Sequence, residues 1–168
     1  MLARRAALPA GESENLTRFH LSNERALVDS MERFFRIPEN ARNDASLFLT
    51  NLEKLVGEIR PAAAPHGDGR LVYRRNAQLK GPMSAFGYDY FTDQYGSERE
   101  RTLRLLRFQG VRGSGGEYAY DVLNLVNGRR TVQDIRDVVS AVYGPVSLEL
   151  VVEYLQALKS IRVIELAK

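Results

Sequence analysis

The sequence contains no cysteine, and its only two histidines are His20 and His66. Without cysteine there is no disulfide framework, no thiolate metal site and no cysteine nucleophile. A catalytic zinc site draws on several histidines and carboxylates, and neither histidine has a second one at ligand spacing. We therefore expect no bound metal and no cofactor, and catalysis by this chain alone is not favoured.

The sequence also lacks a long apolar run. No stretch approaches the roughly 20 apolar residues that span a bilayer. Residues 1–15 contain two arginines but no apolar stretch long enough for a signal peptide. The apolar fraction of 44% and the charged fraction of 27% are typical of a soluble globular protein. We expect a cytoplasmic protein that makes no membrane contact.

Two sequence motifs of enzymes are missing as well. The glycines of VRGSGGE at 111–117 are not followed by the Gly-Lys-Ser/Thr of a phosphate-binding loop. Ser114 lies outside any Gly-x-Ser-x-Gly nucleophile motif. We therefore assign no catalytic residue, and we interpret 111–117 as a flexible hinge.

Residues 1–60 predict a helical hairpin. Ile37-Pro38 marks the end of a first helix, and Asn43 or Asp44 is suited to begin a second one. Apolar side chains recur at helical spacing in both helices: Leu27, Met31, Phe34 and Phe35 in the first, and Phe48, Leu52, Leu55, Val56 and Ile59 in the second. Each set would line one face of its helix.

Residues 61–116 are expected to form a linker, a short strand, an aromatic-rich segment and an arginine-rich helix. PAAAPHGDG at 61–69 is the linker, because its prolines and glycines interrupt both regular patterns. LVYRR at 71–75 is typical of a strand, and KGP at 80–82 of a turn. FGYDYFTDQYG at 86–96 contains five aromatic residues, which we expect to pack in a core rather than form a binding face.

The basic excess of the chain lies at 97–112, which carries five basic and two acidic side chains. A helix is expected from Ser97, with Ser97 and Glu100 as a capping box. Three arginines would then share one flank of that helix: Arg101, Arg104 and Arg107. This flank is either a phosphate-binding stripe or a solvated face with an ion pair from Glu100 to Arg104. The solvated face is the favoured alternative.

Residues 117–168 predict three short helices followed by a closing strand. Gly128 would end the first helix, because glycine readily adopts the left-handed conformation found at helix ends. Thr131 and Asp134 resemble a capping box for the second helix, and Ser147 would cap the third. IRVIEL at 161–166 is typical of a strand. The apolar positions expected in one core are Val122, Leu125, Ile135, Val139, Leu148, Val152, Leu155 and Ile164.

This pattern defines the predicted fold class, which is mainly α with a few short strands (α+β). An N-terminal helical hairpin precedes a C-terminal winged-helix-like three-helix unit. In a DNA-binding winged helix, the outward positions of the third helix read the bases. Here those positions are Glu149, Glu153, Gln156 and Lys159. Two carboxylates repel DNA, and no second strand follows 161–166 to complete a wing. Nucleic acid is therefore a disfavoured partner, and only Arg129 and Arg130 argue for it.

The text RRTVQDIRDVVSAVYGPVSLELVVEYLQALKSIRVIEL at 129–166 resembles a known family. It is similar to the C-terminal appendage of some bacterial zinc aminopeptidases with the transferrin-receptor-like peptidase fold. VYRRNAQLKGPM at 72–83 resembles the strand and Lys-Gly-Pro that precede this appendage. A looser likeness connects the helices to the pyrroloquinoline quinone synthesis protein D family, whose members bind peptides. The resemblance implies a peptidase-like partner, and any enzymatic role would be peptidase activity by association, yet no catalytic residue carries over.

We therefore expect a non-catalytic accessory or protein/peptide-interaction module, with a winged-helix DNA-binding regulator as the alternative. The C-terminal strand is expected to present an unpaired edge, which docks either on residues 71–96 of the chain itself or on a peptidase-like partner. The predicted interaction surface consists of Arg101, Arg104, Arg107, Arg129, Arg130, Arg162, Val163 and Ile164. The sequence leaves the oligomeric state open.

Overall fold

The computed structural model describes residues 8, 10–57, 62–81, 83–85 and 88–167. It is mainly helical with short antiparallel strand pairs, so the predicted fold class is confirmed. The chain divides into two compact units, Met1–Ala63 and Ala64–Lys168. We call the first the hairpin unit and the second the C-terminal unit.

The hairpin unit consists of helix α1 (Ala10–Met31) and helix α2 (Glu39–Val56). Proline fixes the backbone at the N-cap of α2, where Pro38 has φ −58°, so α2 begins at Glu39 rather than at the predicted Asn43 or Asp44. Gly57, with φ +80°, ends α2 and donates its N–H to the carbonyl of Glu53. The predicted helical hairpin is therefore present, and Ile59 lies outside the described residues.

The C-terminal unit begins with a 3-10 turn and ends with a strand. Its elements are the 3-10 turn Gly67–Arg70, strand β1 (Tyr73–Arg75), strands β2 (Ser84–Ala85) and β3 (Tyr88–Asp89), helices α3 (Tyr90–Tyr95) and α4 (Ser97–Glu100), the 3-10 turn Leu105–Arg107, helices α5 (Gly115–Leu125), α6 (Val132–Tyr143) and α7 (Leu148–Ser160), and strand β4 (Ile164–Leu166). β2 pairs with β3. Pro82, Phe86 and Gly87 of the predicted turn and aromatic segment lie outside the described residues.

Strand β1 occupies the middle of a small sheet. On one side it pairs antiparallel with β4, and Arg74 lies opposite Glu165. On its other side Val72 forms an antiparallel bridge with Thr131, and Gly128 donates its N–H to the carbonyl of Tyr73 at 3.0 Å. The strand that pairs with β4 therefore comes from upstream in the sequence and not from a segment after 161–166. The C-terminal strand is thus docked on residues 71–96 of the chain itself, which is one of the two expected alternatives, and it presents no unpaired edge on the β1 side.

Helices α5, α6 and α7 enclose the core of the C-terminal unit. Five of the predicted core residues are buried, and they are Val122, Ile135, Val139, Leu155 and Ile164. The other predicted core residues are half-buried and pack against that cluster, and they are Leu125, Leu148 and Val152. Residues 61–116, which are predicted from the sequence as a segment of their own, contribute four buried side chains to the same core: Tyr73, Phe91, Leu103 and Leu105.

The ends of α5 and α6 confirm one predicted capping box and correct the predicted hinge and the predicted end of the first helix. The capping box at α6 is confirmed: the Asp134 N–H donates to Oγ1 of Thr131 at 3.1 Å, and the Thr131 N–H donates to Oδ2 of Asp134 at 2.9 Å. The expected hinge is instead the start of α5, where the Glu117 carboxylate accepts the N–H of Ser114 at 2.7 Å. α5 ends at Leu125, three residues before Gly128, whose φ of +79° serves the following loop.

Candidate interaction surfaces

The arginines at 101, 104 and 107 do not share a helix flank. The predicted helix ends at Glu100, and the Glu100 carboxylate accepts the hydroxyl of Thr92 instead of forming a capping box. Each arginine has a contact of its own: Arg101 with Glu98 at 2.9 Å, Arg104 with Glu153 at 2.7 Å, and Arg107 with the Arg101 carbonyl at 3.4 Å. The predicted stripe and the predicted Glu100–Arg104 pair are both wrong, because the chain turns after Glu100.

Helix α7, the counterpart of a DNA-reading helix, is partly covered by the upstream segment. Glu153 accepts both the N–H and the side-chain Nε of Arg104, at 3.1 and 2.7 Å. At the next residue of α7, the Tyr154 ring lies 5.7 Å from the Phe91 ring. Glu149 stays exposed, and hydrogen bonds from its own N–H and the Ser147 hydroxyl lower the pKa of its carboxyl. The face that would approach DNA is therefore both obstructed and acidic.

Val163 and Ile164 are core residues. Their exposed fractions are 7% and 1%, so they fit only one of the two expected docking alternatives, the one on residues 71–96. The Val163 carbonyl accepts the Asn76 N–H, and Ile164 lies opposite Arg75. Both side chains pack in the core of the C-terminal unit, since β4 is held against β1. Of the three residues predicted at this contact, only Arg162 is exposed.

Arg162 lies two residues after the end of α7 and has an unusual backbone conformation. It has φ +59° and is the only non-glycine residue with positive φ in the described part of the chain. The Val163 N–H donates to the Leu158 carbonyl and the Arg162 N–H to the Lys159 carbonyl, both at 3.0 Å. This bonding pattern is a Schellman motif, in which glycine is the usual residue at the position of Arg162.

Arg129 and Arg130 lie in the loop between α5 and α6. The Asn127 side chain holds this loop, because its Oδ1 accepts the N–H groups of both arginines at 3.0 Å. Both side chains are exposed, and no partner for either guanidinium is found among the described residues. The structure therefore leaves these two predicted site residues free.

Two arginines of β1 make contacts that the sequence does not predict. Arg74 pairs with Glu165 across the strands at 2.8 Å. Arg75 donates to the Leu123 carbonyl at 2.8 Å and to Oδ1 of Asn124 at 2.9 Å, so it satisfies the carboxyl end of α5. The sequence signal was the Arg-Arg pair in a predicted strand, but only the fold shows which helix end it meets.

The hairpin unit exposes large apolar side chains. Those between 43% and 82% exposed are Leu27, Met31, Phe34, Phe35, Leu47, Phe48 and Leu55, and we call them the hairpin apolar surface. Leu49 is the one large apolar side chain of this unit that is buried in the described residues. Of the residues predicted to line one face of the second helix, Phe48 and Leu55 are exposed.

A tyrosine cluster closes the loop after α6. The hydroxyl of buried Tyr118 donates to the Gly144 carbonyl at 2.7 Å, and the hydroxyl of Tyr143 donates to Oδ2 of Asp121 at 2.8 Å. The hydrogen bond to Asp121 raises the pKa of Tyr143 to about 12. Burial is the main cause that raises the pKa of Tyr154. Because the Tyr143 phenol keeps its proton at neutral pH, Tyr143 acts, like Tyr118, as a hydrogen-bond donor that fixes the fold.

Within the described part of the chain, no three His, Asp or Glu side chains gather in a way that could hold a metal ion. In those residues no single helix has the length and apolar composition to cross a membrane, and α6 and α7 pass such a test only as a pair bent by 116°. Comparison with protein-family models, with curated proteins and with solved structures finds no match to this chain.

Proposed function

We propose that this chain is a non-catalytic accessory module that acts by contact with a protein partner, and that the partner is a zinc-aminopeptidase-like core. The observation that carries the proposal is the hairpin apolar surface, whose members include Phe34 and Phe35 at 79% and 66% exposure. Large exposed apolar patches on soluble proteins are typical of interaction sites. The resemblance of residues 117–168 to a peptidase appendage supports the identity of the partner.

The size of this surface suits a protein interface. Covering its seven side chains completely would remove roughly 800–900 Å² from water, which is close to what each partner buries in a stable complex. Six of the seven lie between residues 27 and 48, near the connection of the two helices. Phe34 and Phe35 are the natural anchors, because aromatic side chains dominate binding energy at interfaces.

DNA binding is the second candidate because the guanidinium groups of Arg129 and Arg130 have no partner in the part of the chain that the structure describes. The contact between Arg104 and Glu153 argues against it, since it covers the helix that would enter the major groove. Exposed Glu149 on the same helix adds repulsion for phosphate.

The test measures binding of the full chain to a purified zinc-aminopeptidase core that lacks its own appendage, by titration calorimetry. Replacing Phe34 and Phe35 together by Ser should weaken binding at least about tenfold, because two interface anchors are lost. The control replaces Tyr120, which is 70% exposed in the C-terminal unit, by Ser. Equal binding by the Phe variant and the wild type would remove the hairpin apolar surface from the proposal. Tight DNA binding with a steep salt dependence in a gel shift would favour the second candidate instead.

A further inference from the structure

The free arginines of the C-terminal unit are concentrated at its sheet. Most of the described arginines of this unit have a partner: Arg70 with the Pro65 carbonyl, Arg74 with Glu165, Arg75 with Leu123 and Asn124, Arg99 with the Tyr95 ring, Arg101 with Glu98, Arg104 with Glu153, Arg107 with the Arg101 carbonyl, Arg112 with the Ala141 carbonyl, and Arg136 with Asp137. Among the described residues, no side-chain contact is found for Arg129, Arg130 or Arg162. We call these three the free arginines.

The free arginines lie on both sides of β1. The segment that carries Arg129 and Arg130 runs antiparallel to β1 on one side, as the bridge from Val72 to Thr131 shows. Arg162 directly precedes β4 on the other side, and its carbonyl accepts the side-chain amide of Asn76 at 2.9 Å. Neighbouring strands are about 4.8 Å apart, so roughly 10 Å separates the two outer segments.

The acidic groups beside these strands are fewer than the arginines. Glu165 is paired with Arg74, the Asp134 carboxylate accepts the Thr131 N–H, and Asp68 lies close enough to β1 to add to burial in raising the pKa of Tyr73. Asp134 and Asp68 keep their negative charges, but no ion pair with a free arginine is found among the described residues. Three free arginines against two such carboxylates leave this surface with an excess of positive charge.

Arg162 supplies an independent sign that its side chain has a role. A non-glycine residue in the left-handed conformation is less stable there than glycine, because its Cβ approaches the backbone. Glycine would complete the same Schellman motif without this strain. An arginine at this position indicates that its guanidinium contributes something that glycine cannot provide, since strained backbone positions concentrate at functional sites.

We propose that Arg129, Arg130 and Arg162 bind an acidic, extended segment of a protein partner. Guanidinium groups form paired hydrogen bonds with carboxylates. Thr131 is opposite Val72 and the Val163 carbonyl accepts the Asn76 N–H, so Arg162 is displaced from Arg129 and Arg130 along the strands as well as across them. An extended segment of about four to six residues spans the combined distance. This inference rests on the proposed function in that the ligand is a protein, but it uses a surface of the C-terminal unit and not the hairpin apolar surface. A short acidic segment is favoured over nucleic acid because a longer polyanion along this unit would also meet Glu149 and the obstructed face of α7.

The test uses the full chain and a fluorescein-labelled hexaglutamate peptide, with binding followed by fluorescence anisotropy at low and at physiological ionic strength. The first variant replaces Arg129 and Arg130 by Ser, which keeps the backbone hydrogen bonds to Asn127. The second is Arg162→Gly. The control is Arg107→Ser, which removes one exposed arginine away from the sheet. Melting temperatures are measured for all four proteins, and a random-sequence DNA duplex is titrated in parallel.

The double variant should bind the peptide at least about tenfold more weakly, because two charge-assisted contacts are lost. Arg162→Gly should bind about three- to tenfold more weakly while its melting temperature rises by about 2–6 °C. This variant cannot lose binding through misfolding if it melts at a higher temperature. Arg107→Ser should match the wild type in both measurements.

Three results would overturn the proposal. They are unchanged peptide affinity in the double variant, unchanged affinity in Arg162→Gly, and DNA affinity that exceeds peptide affinity and depends on the same arginines. Loss of peptidase-core binding in the Phe34/Phe35 variant together with normal peptide binding would separate the two surfaces. The proposed function would then stand on the hairpin apolar surface alone, whatever the free arginines do, whereas equal core binding by the Phe34/Phe35 variant and the wild type would count against the hairpin apolar surface and leave the free arginines to their own test.

Discussion

The two units use the same helical apolar pattern in opposite ways. In the described residues the hairpin unit buries one apolar side chain, Leu49, whereas the C-terminal unit buries twenty-one. The C-terminal unit exposes few large apolar side chains, among them Leu79, Val111, Tyr120 and Leu166. Two helices offer only one shared face, and three helices with a sheet enclose an interior. Helical periodicity therefore identifies a helix with an apolar face, but it does not identify what covers that face.

The largest expected effect contrasts a core leucine with a hairpin leucine. Leu155 is 0% exposed in the C-terminal unit, and Leu55 is 82% exposed in the hairpin unit. Leu155→Ala should lower the free energy of unfolding by about 2–5 kcal/mol, since it leaves a cavity, and Leu55→Ala by less than about 0.5 kcal/mol. Urea denaturation of both variants checks this. A large loss in Leu55→Ala would show that the isolated chain already covers this side chain.

Two adjacent glycines of the C-terminal unit, Gly115 and Gly116, differ in the space around them. A Cβ at Gly115 would lie 2.2 Å from the Leu105 carbonyl oxygen, whereas a Cβ at Gly116 meets nothing within 4 Å. Gly115→Ala should therefore destabilise the fold by about 2–3 kcal/mol, and Gly116→Ala should stabilise it by about 0.5 kcal/mol through helix propensity. Thermal denaturation compares the two. Similar melting temperatures would mean that α5 does not pack tightly on the turn Leu105–Arg107.

The two helix starts at Thr131 and Ser147 differ in the same unit. The Thr131 side chain accepts the Asp134 N–H, whereas the Ser147 side chain makes no capping hydrogen bond to the α7 backbone. Thr131→Ala should cost about 1 kcal/mol in the free energy of unfolding. Ser147→Ala should cost only a few tenths, within the range of ordinary surface changes. Chemical denaturation measures both, and an equal cost would contradict the capping assignment.

The smallest effect concerns Tyr143 at alkaline pH. In the folded state the hydrogen bond to Asp121 raises the pKa of Tyr143 to about 12, above its ordinary value of 10.0, so the folded state retains the phenol proton to higher pH than the unfolded chain. The stabilisation is therefore complete below pH 10 and is lost as the pH rises towards 12. Tyr143→Phe should lower stability by less than about 1 kcal/mol at pH 8, and the difference from wild type should shrink at pH 11. A difference that grows with pH would contradict the hydrogen bond to Asp121.

Local signals in the sequence predicted much of the helical architecture. The capping box at Thr131 and Asp134, the strand within 71–75 and five core positions of the C-terminal unit are confirmed, four of them in its last three helices and one in β4. Each follows from a pattern of residues close together in the chain. The helix expected from Ser97 begins there but ends at Glu100, so its predicted length and capping box are wrong. Its arginines find partners elsewhere, such as Glu153 for Arg104, and these tertiary contacts outweigh a short helical pattern.

The surface was harder to predict than the core. For Val163 and Ile164 the sequence leaves two docking partners open, and pairing of β4 with β1, inside residues 71–96, selects the internal one and buries both side chains. Arg162 was named for its charge, whereas its left-handed backbone is visible only in three dimensions. The partner proposed for either surface stays a prediction, since it depends on chemistry outside the chain.

The central position of β1 has a consequence during synthesis on the ribosome. Arg74 meets Glu165 across 91 positions of sequence, and all three core helices are made in between. At about 5–20 residues per second, β1 emerges some 5–18 s before its partner strand exists. During that interval its backbone groups are available to other strands or to a chaperone. The sheet therefore closes late, and the C-terminal unit is expected to acquire its stability in one cooperative step once β4 has emerged.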